Sequence, residues 1–348
     1  MDRRVPAQRP DGSSEEIRVQ TPGMSAAVAV DGRIVWSEGF GLAELENEVR
    51  VTPATRFRIG SVSKLITAAA VMRLVDAGRM ELDAPVRRYT PVFPEKRHPI
   101  TIRQLAGHQS GIRHYRPDDP VGQRAFPTLA AGLEVFAADS LQFTPGTKYL
   151  YSSYGYNLLG VAIEGASGEP FLSFVRREVL HPLGMQSTVA DHRDSVVAGR
   201  SGFYQLGRGM RIVNAPYDDV SYKWPSGGFL STAEDLVRLG SAFLGPGFLS
   251  QASLLEMFTP QRLASGEPTV VGIGWRIGTD PAGRTFYHHG GASTGGRAVL
   301  VVYPRERVVA AVASNLRTPI DERDLARLAQ LFLGTAGSGR AVPAKGGP

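Results

Sequence analysis

Cysteine is absent from all 348 residues, which removes disulfides, thiol nucleophiles and thiolate metal sites together. A nucleophile in this chain must use oxygen, and the chain is indifferent to the redox poise of its compartment. Apolar runs are short. None approaches the roughly eighteen residues of a membrane span, so no transmembrane segment is expected. Charge blocks are missing too: the net charge of +6 comes from basic residues scattered among acidic ones. No basic stripe with interleaved aromatics occurs, so no nucleic-acid partner is expected. Residues 1–20 begin basic but hold no apolar core, so they do not read as a signal peptide. Residues 1–21 read as a flexible lead-in, and a soluble, by default cytoplasmic, protein is expected.

With 42% apolar and 21% charged residues, what is present is a globular composition large enough for a substantial core. "MSAAVAV", then Asp31-Gly32, then "RIVWSEGFG" reads as a hairpin. From Ser61 the pattern turns helical, and Leu65 to Met72 is apolar on every side, as in a helix running through the interior. Residues 83–215 are Pro- and Gly-rich with short helical patterns. Helix returns over 232–258, and "VVGIGWRIG", "RTFYHHG", "RAVLVVYP" and "RVVAAVASN" read as closely spaced strands, followed by a helix from Asp321 to Phe332. The expected organisation is a discontinuous α/β sheet domain, 22–82 plus 216–333, a mostly helical insert over 83–215, and a disordered tail over 334–348.

"FRIGSVSK" places Ser61 three residues before Lys64. With 25 serines and five lysines in the chain, about 0.4 such pairs arise by chance, so the spacing needs its context. Ser61 taken alone reads as a helix N-cap. Lys64 on the same helix face, ahead of eight uncharged residues, faces both a burial penalty and the positive helix end, and each lowers an amine pKa. The competing reading is a lysine snorkelling to the surface.

In "PGTKYLYSSYGYNLLG", Tyr149, Tyr154 and Tyr156 read as core or interface aromatics. Tyr151 stands at a loop end before the small residues Ser152 and Ser153, where a phenol with a cation beside it can serve as a base. In "YHHGGASTGGRAVLVVYP", two adjacent histidines without a third ligand make a poor zinc site. The glycines after His289 instead let a ligand approach the backbone closely. Gly291 to Gly295 fits G-x-S-x-G, but a strand follows where the nucleophile elbow needs a helix, and no histidine follows residue 289.

Together these segments resemble the serine β-lactamase and penicillin-binding superfamily over about residues 22–333, in its class C and esterase-like branch. "FRIGSVSK" is similar to the nucleophile motif, "YSS" from Tyr151 to the Tyr-x-Asn motif, and His289-Gly290-Gly291 to the His-x-Gly that replaces Lys-Thr-Gly. "GGFLSTAEDL" and "ITIRQLAGHQSGIRHY" resemble further family segments, the latter that of LACTB-like serine hydrolases. The resemblance implies a mixed α+β fold, an antiparallel sheet flanked by helices with a helical insert. It implies acylation of Ser61, with Lys64 and Tyr151 sharing the proton work, an oxyanion hole from the amides of Ser61 and Ala292, and substrate binding by Ser153, His289, Gly290 and Gly291. It implies no metal and no organic cofactor. Ser153 stands where lactamases keep asparagine, so weak β-lactam turnover is expected. The family's usual N-terminal helix finds too little chain before the first strand.

Two functions follow: a hydrolase of a peptide, amide or ester, or a catalytically quiet penicillin-binding-like receptor or scaffold. The substrate-selecting loops are expected around 113–140 and 200–225.

Overall fold

The computed structural model describes residues 2–8, 14–317 and 320–333. The tail expected over 334–348 lies outside the described residues. The segment expected as a lead-in carries two antiparallel strands, β1 (Asp2–Gln8) and β2 (Ser14–Gln20). The hairpin β3 (Gly23–Val30) and β4 (Arg33–Glu44) turns at Asp31-Gly32, both at positive φ, the backbone that favoured this dipeptide in the sequence. β5 (Val49–Arg50) and β6 (Phe57–Arg58) follow, and a 3₁₀ turn, Gly60–Val62, leads into α1 (Ser63–Asp76).

Residues 83–215 hold α2 (Ile102–Ala106), α3 (Leu129–Gly132), α4 (Ser153–Ser167) and α5 (Phe171–Val175), then the short strands β7 (Val189–Ala190), β8 (Tyr204–Leu206) and β9 (Ile212–Asn214). α6 (Trp224–Gly227), β10 (Phe229–Ser231), α7 (Ala233–Ser241) and α8 (Gln251–Phe258) come next. The chain closes with β11 (Arg276–Thr279), β12 (Thr285–Ser293), β13 (Gly296–Tyr303), β14 (Val308–Ser314) and α9 (Glu322–Gln330), the last opened by an Asp321/Asp324 capping box.

The main sheet runs β11-β12-β13-β14-β3-β4-β5, antiparallel throughout, so the opening hairpin pairs with the last strand of the chain. Its central strands are covered on both faces, which is why they read as unbroken apolar runs. Met24, Ala26, Val28 and Val30 join Val299, Val301 and α9 on one side. Ala27, Ala29, Leu300 and Ala311 join α1 and α7 on the other. Helix α7 lies close on that face: a Cβ on Gly240 would come within 2.6 Å of Val309.

"VVGIGWRIG" is strand only from Arg276 on, a departure from the sequence reading. The preceding glycines let the chain skim its neighbours instead of pairing. A Cβ at Gly272 would sit 2.0 Å from the Met257 carbonyl oxygen, and Gly274 adopts φ +85° over Ala68 of α1. Helix α1 is the central helix the sequence announced, with Leu65 to Met72 wholly buried. Each such leucine or isoleucine contributes about 1.5–3 kcal/mol, which lets this helix carry one costly polar residue, Lys64, at its first turn. No single helix among the described residues is long and apolar enough to cross a membrane.

Candidate active site

Ser61 lies in the 3₁₀ turn just before α1, and residue 62 occupies the N-cap with no side-chain cap bond. The serine hydroxyl is therefore not the cap that its position suggested. It is left for Lys64, whose Nζ donates to Ser61 Oγ at 3.2 Å, to Ser153 Oγ at 3.0 Å and to the Ser226 carbonyl at 2.7 Å. Lys64 is fully buried, which rules out the snorkelling alternative. Burial lowers its pKa most, opposed by Tyr151 and assisted by the charges of Arg276 and Lys223. The Ser226 carbonyl only accepts, so one N–H is committed to it. The two hydroxyls can donate or accept, so the site fits the amine as well as the ammonium.

Tyr151 is half-buried, with its ring centre 5.0 Å from Lys64 Nζ. Burial alone would raise its pKa, but the Lys64 charge, the polar side chains of Lys64 and Ser61 beside it and the charge of Arg276 together bring it below the ordinary value. Ser152 caps α4 by accepting from the Gly155 amide at 3.0 Å, which fixes Ser153 as the first helical residue and aims its hydroxyl at Lys64. Tyr154 and Tyr156 are core residues, while Tyr149 is partly exposed.

Strand β12 closes the other side. Gly291 passes so near the nucleophile turn that a Cβ there would meet the Ile59 oxygen at 1.9 Å and the Ser61 nitrogen at 2.8 Å. Gly60, at φ +49°, lies against the backbone of Ala292 in the same way, with its hypothetical Cβ 2.7 Å from the Ala292 nitrogen. The amides of Ser61 and Ala292 thus sit at one junction that only glycine at 60 and 291 permits. Ser61, Tyr151, Ser153, Gly290 and Ala292 line a cleft of about 620 Å3. His289 and Gly291 are not among its lining residues. The His289 ring is buried behind the cleft, 6.3 Å from the Tyr151 ring, with Nδ1 2.8 Å from the Gly290 carbonyl, and burial followed by the Lys64 charge keeps its pKa well below 6.5.

The cleft also holds residues that sequence reasoning missed: His114, Tyr115, Lys223, Arg276, Arg297 and Arg317. Lys223 pairs with Asp218 at 3.0 Å, and Asp218 also accepts from Thr294 Oγ1 at 3.1 Å, tying the 216–223 loop to the β12–β13 turn. A signal for Lys223 existed, since it is one of five lysines in an arginine-dominated chain. Among the described residues no group of three or more His, Asp or Glu side chains is arranged to hold a metal ion.

A family model described as Beta-lactamase matches residues 11–334. The mitochondrial serine beta-lactamase-like protein LACTB of Bos taurus is 30% identical over 400 aligned residues, covering 86% of this chain and 71% of that protein. Among solved structures, the octameric penicillin-binding protein homologue from Pyrococcus abyssi superposes with a TM-score of 0.76 at 26% identity, covering 93% of this chain and 76% of that one. The D-stereospecific amidohydrolase from Streptomyces sp. gives 0.76 at 25% identity, with 89% and 94% covered.

Proposed function

The chain belongs to the beta-lactamase family and has its fold, and from that premise we propose that it is a serine hydrolase that works through an acyl-serine intermediate on a peptide, amide or ester. The observation that carries the reading is Lys64: a buried lysine with no carboxylate partner among the described residues, hydrogen-bonded to the hydroxyl of Ser61 and 5.0 Å from the centre of the Tyr151 ring.

Ser61 Oγ attacks the carbonyl carbon as its proton passes to the Tyr151–Lys64 pair, on whichever of the two is unprotonated. The carbonyl π electrons move onto oxygen, which the amides of Ser61 and Ala292 receive. Collapse expels the leaving group, which takes the proton back, and leaves an ester on Ser61. Water then repeats the cycle, giving its proton to the same pair, and frees the acid. Ser153 and Gly290 line the acyl path, and His289 supports Tyr151 from behind. The residues supply every proton transfer themselves.

The D-stereospecific amidohydrolase and penicillin-binding relatives support an amide or peptide carbonyl as the target. The cleft's cations, Arg276, Arg297, Arg317 and Lys223, face one acidic lining residue, Glu322, which favours substrates that carry negative charge. The test is labelling with a fluorophosphonate, followed by release of a p-nitrophenyl ester product over time. Labelling with turnover supports the hydrolase. Labelling without release would instead make this a penicillin-binding-like receptor.

A further inference from the structure

The segment 100–115 carries a family resemblance and no role in the chemistry above, yet its two histidines lie directly against Tyr151. The Leu150 amide donates to the His108 carbonyl at 2.8 Å, the Ser152 amide donates to His108 Nδ1 at 3.2 Å, and the Ser153 amide donates to His114 Nδ1 at 3.2 Å. Leu150, before Tyr151, is thus held by the His108 carbonyl, and Ser152 and Ser153, after it, by two imidazoles 44 and 39 positions away in sequence. The Tyr151 ring rests 4.5 Å from the His108 ring and edge-on to His114 at 5.4 Å.

The histidines are themselves fixed. His108 follows α2, which opens with a Thr101/Gln104 capping box, and it sits at φ +58°, a backbone state that persists only where its surroundings over-determine it. Arg113 is buried between Asp119 and Asp139, and its carbonyl accepts from Ser152 Oγ at 2.8 Å. Each Nδ1 accepts an amide hydrogen, so each ring must be neutral with its proton on Nε2. Burial, and then the Lys64 charge, lowers both pKa values, that of His114 to about 4.

We infer that His108 and His114 are positioning residues: by accepting the Ser152 and Ser153 amides they hold Tyr151 and Ser153 against Lys64. The inference rests on the reading of Tyr151 as a proton carrier. The groups that face Tyr151 are Lys64 from α1, Arg276 from β11, His289 from β12, His108 and His114 from this segment, and the neighbouring phenols Tyr115, Tyr149 and Tyr156. Losing a clamp lets the phenol drift from Lys64, the charge that most lowers its pKa, so the acid limb of kcat moves to higher pH.

The experiment compares His114→Leu, His114→Asn and Tyr151→Phe in the full chain, with ester turnover normalised to fluorophosphonate-labelled sites so that misfolded protein does not count. The carboxamide oxygen of asparagine reaches the place of Nδ1 and can accept the same amide. His114→Leu is expected to lose about tenfold to a hundredfold in kcat with KM within twofold, the range that a misplaced catalytic group costs, and to shift the acid limb upward. His114→Asn is expected to recover most of the loss with the wild-type profile. Wild-type kcat and profile in His114→Leu, no recovery in His114→Asn, or a raised KM with unchanged kcat would each overturn the inference. Full activity in Tyr151→Phe would overturn the proton-carrier reading and this inference with it, whereas an inactive Tyr151→Phe beside a normal His114→Leu overturns the clamp alone.

Discussion

Two buried lysines stand at the same cleft in opposite surroundings. Lys64, on α1 behind the lining residues Ser61 and Ser153, is ringed by hydroxyls, a carbonyl and a phenol, while Lys223, in the wall, is paired with Asp218. Burial lowers both pKa values; Asp218 opposes the shift at Lys223, whereas Tyr151, itself titratable, opposes it at Lys64. A carboxylate fixes a charge. A phenol, which titrates nearer the lysine range, lets the proton move between partners, and that difference separates a structural cation from a proton carrier.

The comparison breaks most sharply on arginine, which cannot give up its proton. Lys64→Arg is expected to lower kcat/KM by about 10³-fold or more, the range of a lost acid–base group. Lys223→Arg keeps a cation opposite Asp218 and is expected to lose less than about tenfold. Equal losses in ester turnover by the two variants would show that the lysines play the same part.

A smaller effect sharpens the comparison through pH. The folded pKa of Lys64 lies below its unfolded value near 10.4, so between the two the unfolded chain binds the extra proton and stability rises with pH. Tyr151, also lowered, acts with the same sign below its unfolded value near 10. Buried Tyr115 and Tyr156, raised instead, oppose it above that. Urea midpoints of the wild type should therefore climb from neutral pH towards about pH 9.5. Lys64→Met removes one titrating group and the charge that lowers Tyr151, so its climb should be shallower, with Lys223 contributing alike to both proteins. An identical climb would mean that Lys64 is not strained by burial.

The smallest expected effect concerns Ser153, whose hydroxyl touches Lys64 but has no amide group to hold a substrate amide. Ser153→Asn should raise the ratio of nitrocefin to p-nitrophenyl butyrate turnover by several-fold. A lowered ratio, or a native preference for nitrocefin, would show that position 153 does not set this choice.

The strand runs, the interior helix and the Ser61–Lys64 spacing were legible because each is written in adjacent residues: short apolar runs buried on both faces, an unbroken apolar helix, and a three-residue offset. The cap assignment of Ser61 failed because Gly60 takes a positive φ to meet Ala292, so the helix begins two residues later than the apolar pattern suggests. Two- and three-residue strands such as β6, β7 and β10 owe their existence to partners more than a hundred residues away or to each other, and no local pattern announces them. His108, His114 and Arg276 escaped notice for a related reason: an imidazole that accepts a distant amide, or a guanidinium 5.5 Å from a tyrosine ring, has no signature at its own position.

Acylation of Ser61 with the help of Lys64 is open to intact-protein mass spectrometry after fluorophosphonate treatment, with peptide mapping of the adduct. One adduct per chain is expected, on Ser61, lost in Ser61→Ala while that variant stays folded, since no cap bond is removed. An adduct on another residue, or undiminished labelling and ester turnover in Ser61→Ala, would contradict it.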